Sequence, residues 1–344
     1  MSISTDDRGA TARGDATDGR ALLLVDGLRT EFGSGHAKVH AVNGVDFAVN
    51  RGEIVGIVGE SGCGKSVTIR SILGLVRPPG RVVAGQAMFD GHDLLRLSHK
   101  HLRGIRGKDI GFIAQNPFSA LNPVMRIQRQ FHNLLRTHDK ALAKDHRALA
   151  RSALDAVGIA GPDRVLDGYP HQLSGGTAQR VVIAMSMLLN PALVIADEPT
   201  TGLDLTVQRQ ILDLIRGLVR EHDRSMMLVT HDLGVVAHYC DRIVVMYAGK
   251  VVEHGTVNAV FRAPKHPYTQ ALLAAIPRPG QPLVHLSGRL PSLIDYPPGC
   301  PFAPRCVHQF DRCTHTRPSE TVSPAGQSYW CHLGSGEDEF HVIG

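Results

Sequence analysis

Residues 54–66 read Ile54-Val55-Gly56-Ile57-Val58-Gly59-Glu60-Ser61-Gly62-Cys63-Gly64-Lys65-Ser66, and this stretch decides the fold. An apolar run of strand length, 54–58, enters a loop of the pattern G-x4-G-K-S/T. Residues 67–75 then carry helical spacing until Pro78-Pro79-Gly80 ends it. Strand, glycine loop and helix form the context in which this pattern cradles phosphate. Its glycines let successive backbone N–H groups turn toward one point, and the helix N-terminus adds partial positive charge there. Gly59, Ser61, Gly62, Cys63, Gly64, Lys65 and Ser66 are therefore the expected nucleotide-binding residues. Lys65 is expected to reach the β- and γ-phosphates, and Ser66 to offer its hydroxyl to Mg²⁺. Cys63 fills a variable position of the pattern and reads as an inert packing residue.

Outward from the loop, residues 21–25 and 45–49 are apolar runs of strand type, and 82–113 carry short strands and turns such as Phe89-Asp90-Gly91. From 116 to 189 the pattern is helical, most clearly amphipathic over 141–158. Buried-type strands return at 193–196, 226–229 and 243–247, with a helix over 207–221 between the first two. Strands alternating with helices imply a mostly parallel sheet covered by helices on its faces. The block 116–189 reads as an inserted helical subdomain. A helical stretch after Gly255 runs to about Ile276, a Pro/Gly-rich linker covers 277–299, and cysteines crowd the end. No internal repeat is present, so one copy of the domain is expected.

Composition adds limits. The 344 residues are 43% hydrophobic and 20% charged, ordinary for a globular chain large enough for one main domain and an appendage. No apolar run approaches the roughly 18–20 residues that span a bilayer. Residues 1–20 are polar, lack the apolar segment of a secretory signal, and read as a disordered tail. The net charge of +5 is scattered rather than blocked, so it reads as solvated surface and not as a nucleic-acid face. A place in the cytoplasm, or on the cytoplasmic side of a membrane, is expected.

A second half of the site lies at Leu193-Val194-Ile195-Ala196-Asp197-Glu198, an apolar strand ending in two carboxylates. Asp197 can hold Mg²⁺ through water, since hard cations prefer carboxylate and water oxygens. Glu198, one residue on, points elsewhere and can act as general base toward a water. Alone the pair would be a solvated loop; beside a phosphate loop it completes a nucleotide hydrolase.

Leu173-Ser174-Gly175-Gly176-Thr177-Ala178-Gln179-Arg180, at the head of an apolar helix, resembles the signature of the ABC ATPases. Asp197-Glu198-Pro199-Thr200-Thr201-Gly202-Leu203-Asp204 is similar to their Walker B motif running into the D-loop. Gln115 stands where the family has its Q-loop glutamine, and His231 where it has its switch histidine. The resemblance covers roughly 21–275 and implies an α/β P-loop NTPase fold: a RecA-like parallel sheet core, an antiparallel β subdomain and the helical subdomain 116–189. It implies that Glu198, His231 and Gln115 are catalytic, and that Ser66, Gln115 and Asp197 serve Mg²⁺. Phe32 would stack on adenine. Ser174, Gly175, Gly176 and Asp204 would act in trans, on ATP held by a second ATPase subunit. Thr177-Ala178 departs from the commoner residues of the signature, but its Ser-Gly-Gly core is intact.

Three further stretches resemble dipeptide and oligopeptide (or nickel) importer ATPases: 116–125, 265–273, and the C-terminal Gly299-Cys300-Pro301-Phe302-Ala303-Pro304-Arg305-Cys306 with Cys313. The resemblance implies partners: a second, paralogous ATPase, two transmembrane permease subunits and, indirectly, an extracytoplasmic solute-binding protein. The rivals are an ATPase of a nickel or other solute importer, an exporter ATPase, and a soluble ABC ATPase. The last is disfavoured because the chain has one ATPase domain and no long coiled-coil insertion.

Cys300, Cys306, Cys313 and Cys331 lie in the extension 276–344. Their gaps are wider than the two to four residues of a zinc knuckle, so zinc fits poorly; four thiolates on irregular loops could instead hold an iron–sulfur cluster, with zinc and no metal, disulfides included, as the alternatives. The family resemblance also implies a 4Fe–4S cluster. The neighbouring His308, His315 and His332 read as surface residues.

Overall fold

The computed structural model describes residues 20–277 and 286–334. The expected tail 1–20 lies, except for Arg20, outside the described residues. Two sheets organise the chain. β1 (Ala21–Phe32), β2 (Val39–Asn50), β4 (Arg81–Phe89) and β5 (His92–Asp93) form an antiparallel sheet in the order β2-β1-β4-β5. The larger sheet contains β3 (Ile54–Val58), β6 (Ile110–Ile113), β7 (Leu193–Asp197), β8 (Ser225–Val229), β9 (Arg242–Tyr247), β10 (Lys250–Thr256), β11 (Thr321–Val322) and β12 (Ser328–Tyr329). Its order is β11-β12-β10-β9-β3-β8-β7-β6. The pairs from β9 to β6 are parallel, and those beyond β9 are antiparallel.

The parallel strands are apolar through their middles because both faces are covered, and alternate residues feed different cores. Val55, Ile57, Leu193, Ile195, Met227 and Val229 meet the antiparallel sheet and the helix Lys65–Ile72. Ile54, Val194, Ala196, Met226 and Leu228 meet the helix Leu205–Arg220 and the helical block. That block holds helices Ile127–His138, His146–Ala156, Pro162–Asp167 and Gly175–Met187. The parallel core, the antiparallel sheet and the helical block match the sequence-based reading, with strands longer than the apolar runs alone suggested.

Three features differ from that reading. The helix expected after Gly255 is two helices, Val257–Arg262 and Pro267–Ala274, split at Pro264 and Pro267 where helical backbone is disfavoured. β10 was not anticipated; it returns antiparallel to β9 through Ala248 and Gly249, both at positive φ (47° and 77°) as a tight hairpin requires. The C-terminal hairpin β11–β12 continues the main sheet, with Tyr329 opposite Glu253. A third core gathers Val58, Val245, Tyr247, Tyr268 and Phe302, so residues from both sides of 278–285 pack as one body.

Candidate active site

The phosphate loop is held in shape by two glycines that admit no side chain. Gly59 has φ 152°, and a Cβ there would lie 2.2 Å from the carbonyl oxygen of Met246. Gly64 has φ 105°, and its Cβ would lie 2.4 Å from that of Ala41. Gly64 caps the helix Lys65–Ile72, aiming its N-terminus into the loop. Lys65 is buried, and its Nζ donates to the carbonyls of Gly59 (2.7 Å) and Glu60 (3.1 Å). The ammonium thus sits inside the concavity it is expected to share with phosphate. Cys63 is fully buried and burial pushes its thiol pKa up, which keeps it protonated and unreactive.

Ser66 donates its hydroxyl to Oδ1 of Asp197 at 3.0 Å, so two of the three residues expected to serve Mg²⁺ face each other, while Gln115 bonds to Glu198. Burial raises the Asp197 pKa; the Ser66 hydrogen bond partly opposes it and the charge of Glu198 adds to it. A divalent cation would relieve that penalty, and the hydroxyl–carboxylate pair suits its oxygen preference. Beyond it, Glu198 adopts φ 45°, uncommon for a residue with a side chain, and its N–H donates to the Val229 carbonyl at 2.9 Å. Its carboxylate therefore leaves the line of Asp197. Oε2 accepts from Gln115 Nε2 and from Thr201 Oγ1, each at 3.0 Å, and Oε1 lies 3.5 Å from His231 Nδ1. The turn after β7, the end of β6 and the end of β8 thus bring three side chains to one carboxylate. Thr201 escaped the sequence reading; its place three residues after Glu198, in the same tight turn, is the signal that could have found it.

Ser174 caps the helix Gly175–Met187 by accepting from the Thr177 N–H at 3.2 Å. Asp204 caps Leu205–Arg220 in the same way through Val207 at 3.0 Å. Leu203 and Val207 approach Gly175 and Gly176 closely, so the two motifs form one surface in which Leu205 is 83% exposed. Phe32 ends β1 half-buried with its ring against Gly80; the helix after the phosphate loop does not run on to the Pro78–Gly80 turn as expected but ends at Ile72, with Gly74 at φ 61° just beyond.

The four C-terminal cysteines are all free and line one small pocket with Phe302, Leu333, His308 and His332. His332 is buried, against expectation, and its Nε2 lies 2.9 Å from the Thr316 carbonyl; the extension folds over it. Burial pushes the thiols of Cys300 and Cys331 up, to about 11 and about 12, with added repulsion from their neighbours. Among the described residues no three His, Cys, Asp or Glu side chains form a group ready to hold a metal ion. The expected 4Fe–4S site therefore has a shared pocket but no assembled ligand shell.

Among the described residues no helix is long and apolar enough to cross a membrane. A glycine loop on a parallel sheet, paired carboxylates at the end of another strand of that sheet, and a serine-capped glycine helix define an ABC-type ATPase. The ABC transporter family profile matches residues 42–201, and that of the oligopeptide/dipeptide transporter C-terminal region matches 252–313. The dipeptide transport ATP-binding protein DppD of Bacillus subtilis is 45% identical over 94% of this chain and 97% of its own. DppD of Escherichia coli is 45% identical over 91% and 96%, and the oligopeptide transport protein OppD of Salmonella typhimurium 44% over 88% and 91%. Among solved structures, a dimeric ATP-binding cassette in a post-hydrolysis state with ADP and Pi superposes with TM-score 0.62 at 27% identity, covering 69% of this chain and 99% of that one. The chain belongs to the ATP-binding proteins of dipeptide and oligopeptide ABC transporters.

Proposed function

We propose that this chain binds and hydrolyses ATP to energise an importer of dipeptides or oligopeptides. The observation that carries the catalytic half is the convergence of Gln115, Thr201 and His231 on the Glu198 carboxylate, beyond the facing pair Ser66 and Asp197. Lys65 leaves the Gly59 and Glu60 carbonyls for the β- and γ-phosphates. Ser66 and Asp197, with Gln115, would hold the Mg²⁺ that accompanies ATP, which would offset the charge on the phosphates. Glu198 takes a proton from a water as its oxygen attacks the γ-phosphorus; the bond to the β,γ-bridging oxygen breaks, and ADP and phosphate leave. His231 orients the water and the γ-phosphate. Phe32 stacks on the adenine.

Ser174 and Asp204 cap their helices, and with Gly175 and Gly176 present a shared face, which supports a site closed in trans by a second ATPase subunit, a paralogue. The dimer works on two transmembrane permease subunits, fed by an extracytoplasmic binding protein, and sits peripherally on the cytoplasmic face. We assign 1–20 as tail, 21–275 as the ATPase domain with 116–189 as its helical subdomain, and 276–344 as the extension.

Cys300, Cys306, Cys313 and Cys331 would hold a 4Fe–4S cluster. What supports this is four free thiols lining one pocket. When bound, such a cluster would cross-link the loops of the extension through these four thiolates. Anaerobic purification with iron and sulfide assay tests it: about four irons per chain support it, none overturns it.

The function is tested by reconstituting the chain with its permease and partner ATPase subunits. ATP turnover stimulated by peptide and its binding protein is expected. Turnover stimulated by nickel and not by peptide reassigns the cargo, and no coupling to any permease removes the transport reading.

A further inference from the structure

Glu60 occupies a variable position of the phosphate loop, where the pattern asks for no particular side chain. It is nevertheless the most heavily held residue of the loop. Its N–H donates to the Tyr268 hydroxyl at 2.9 Å, and its carbonyl accepts from Lys65 at 3.1 Å. Its carboxylate takes a two-pronged ion pair from Arg305: Nη1 to Oε2 at 2.7 Å and Nη2 to Oε1 at 2.9 Å. Two of these three partners lie in the C-terminal part of the chain.

Arg305 is built to stay where it is. Its side chain is only 4% exposed, against 27% for Glu60. Nε donates to the Ser287 carbonyl at 2.8 Å, Nη1 reaches the Tyr247 hydroxyl at 3.3 Å, and Nη2 the Leu286 carbonyl at 3.4 Å. The guanidinium also lies over the rings of Tyr247 (5.7 Å) and Phe302 (6.0 Å). A planar fork fixed on all sides determines the direction of the carboxylate it grips, not merely its distance. Leu290 of the same segment approaches Gly62, so the extension touches the loop twice.

We infer that Arg305 is a positioning residue for the phosphate loop: by clamping Glu60 it sets the loop in the shape that receives ATP, which makes residues 286–306 part of the nucleotide site. The inference rests on the reading of residues 59–66 as the ATP phosphate loop. When Lys65 turns toward phosphate, the Arg305 and Tyr268 contacts of Glu60, with the Cys63 N–H on its carbonyl, remain to hold the peptide whose neighbours donate N–H groups. Preorganised donors lower the cost of binding. The clamp therefore acts on capture of ATP, and Glu198 chemistry follows unchanged once ATP is bound.

The experiment is steady-state ATP hydrolysis by the assembled transporter carrying Arg305→Gln, Glu60→Gln or both, with Arg305→Lys alongside. Each single Gln variant is expected to raise KM for ATP about tenfold with kcat within about twofold. The double variant is expected to be no worse than either single, because both remove one interaction. Arg305→Lys keeps the charge and loses the fork, so it falls between. A KM rise below about threefold in Glu60→Gln overturns the inference, as does a fall in kcat at unchanged KM, which is the mark of a lost active fraction. If Arg305→Gln fails to fold, Glu60→Gln, altered only on the loop side, decides by the same criterion. Lys65→Ala separates the two readings: normal ATP binding there sinks the loop assignment itself. Lost binding there with normal KM in the clamp variants sinks the clamp alone.

Discussion

The side-chain amide of Gln115 donates to the carboxylate of Glu198 across 3.0 Å, tying the turn after β6 to the turn after β7. That bond reports a carboxylate in acceptor form, already aimed away from Asp197 by the positive φ of Glu198. Replacing Glu198 by Gln keeps the shape and removes the base. ATP turnover is expected to fall by about 10²- to 10⁴-fold while ATP binding persists. Equilibrium binding of labelled ATP beside single-turnover hydrolysis checks it; normal turnover would remove Glu198 from its role.

Gly59 is a position where a single methyl group is costly. With φ 152° and a carbonyl oxygen 2.2 Å from the added Cβ, Gly59→Ala has to move backbone, which no side-chain rotation relieves. Strain of this kind costs about 1–3 kcal/mol. Urea denaturation should show a loss of that size together with lost ATP binding, whereas Gly91→Ala, with open space around it, should keep ATP binding intact.

Phe302 joins the segment after residue 286 to the ATPase core: its ring sits 5.2 Å from that of Tyr247 and 5.4 Å from that of Tyr268, and it is 3% exposed. Phe302→Ala is expected to cost about 3–5 kcal/mol. Hydrogen exchange should rise first in 286–334, with the parallel strands protected. Uniform loss across the sheet would mean that the whole molecule unfolds as one unit.

Lys250 gives a pH signature. Burial, with the nearby Arg317 and Arg29, lowers its pKa to about 8, and Asp46 only partly offsets this. The folded chain sheds this proton at lower pH than the unfolded chain, whose lysine titrates near 10.4. Stability from this group is therefore gained as pH rises from about 8 toward 10.4, and lost as pH falls through 8. Chemical denaturation at stepped pH should show the rise in the native chain and a smaller one in Lys250→Met. Identical profiles would show that Lys250 is not the source.

What the sequence made legible follows from where backbone geometry dictates residue type. The loop at 59–66 and the Ser174 cap needed glycine or a capping hydroxyl at fixed places, so they could be read in order. The apolar runs that became β3, β7 and β8 were legible because both their faces are buried. β10 was not, because Lys250, Glu253 and His254 break its apolar pattern; the Glu253 carboxylate is buried by accepting from the N–H groups of Lys265 and His266 and from the Gln327 amide. The Arg305–Glu60 pair joins residues 245 positions apart and no local spacing announces it. Nor could sequence show that Tyr268, within the recognised 265–273 stretch, serves by accepting from the phosphate loop.

The edge of the main sheet has a consequence for how the chain is made. β10 pairs on one side with β9, which precedes it immediately, and on the other with β12, where Tyr329 meets Glu253 and Trp330 donates to the Val252 carbonyl. During synthesis the nucleotide core can assemble while β10 still shows an open row of backbone groups, and that row is closed only when the last part of the chain has emerged. An open strand edge invites pairing with other chains. A ribosome stalled between β10 and β12 would thus leave a cassette whose open strand edge is prone to stick to its neighbours until Ser328 and Tyr329 pair with it.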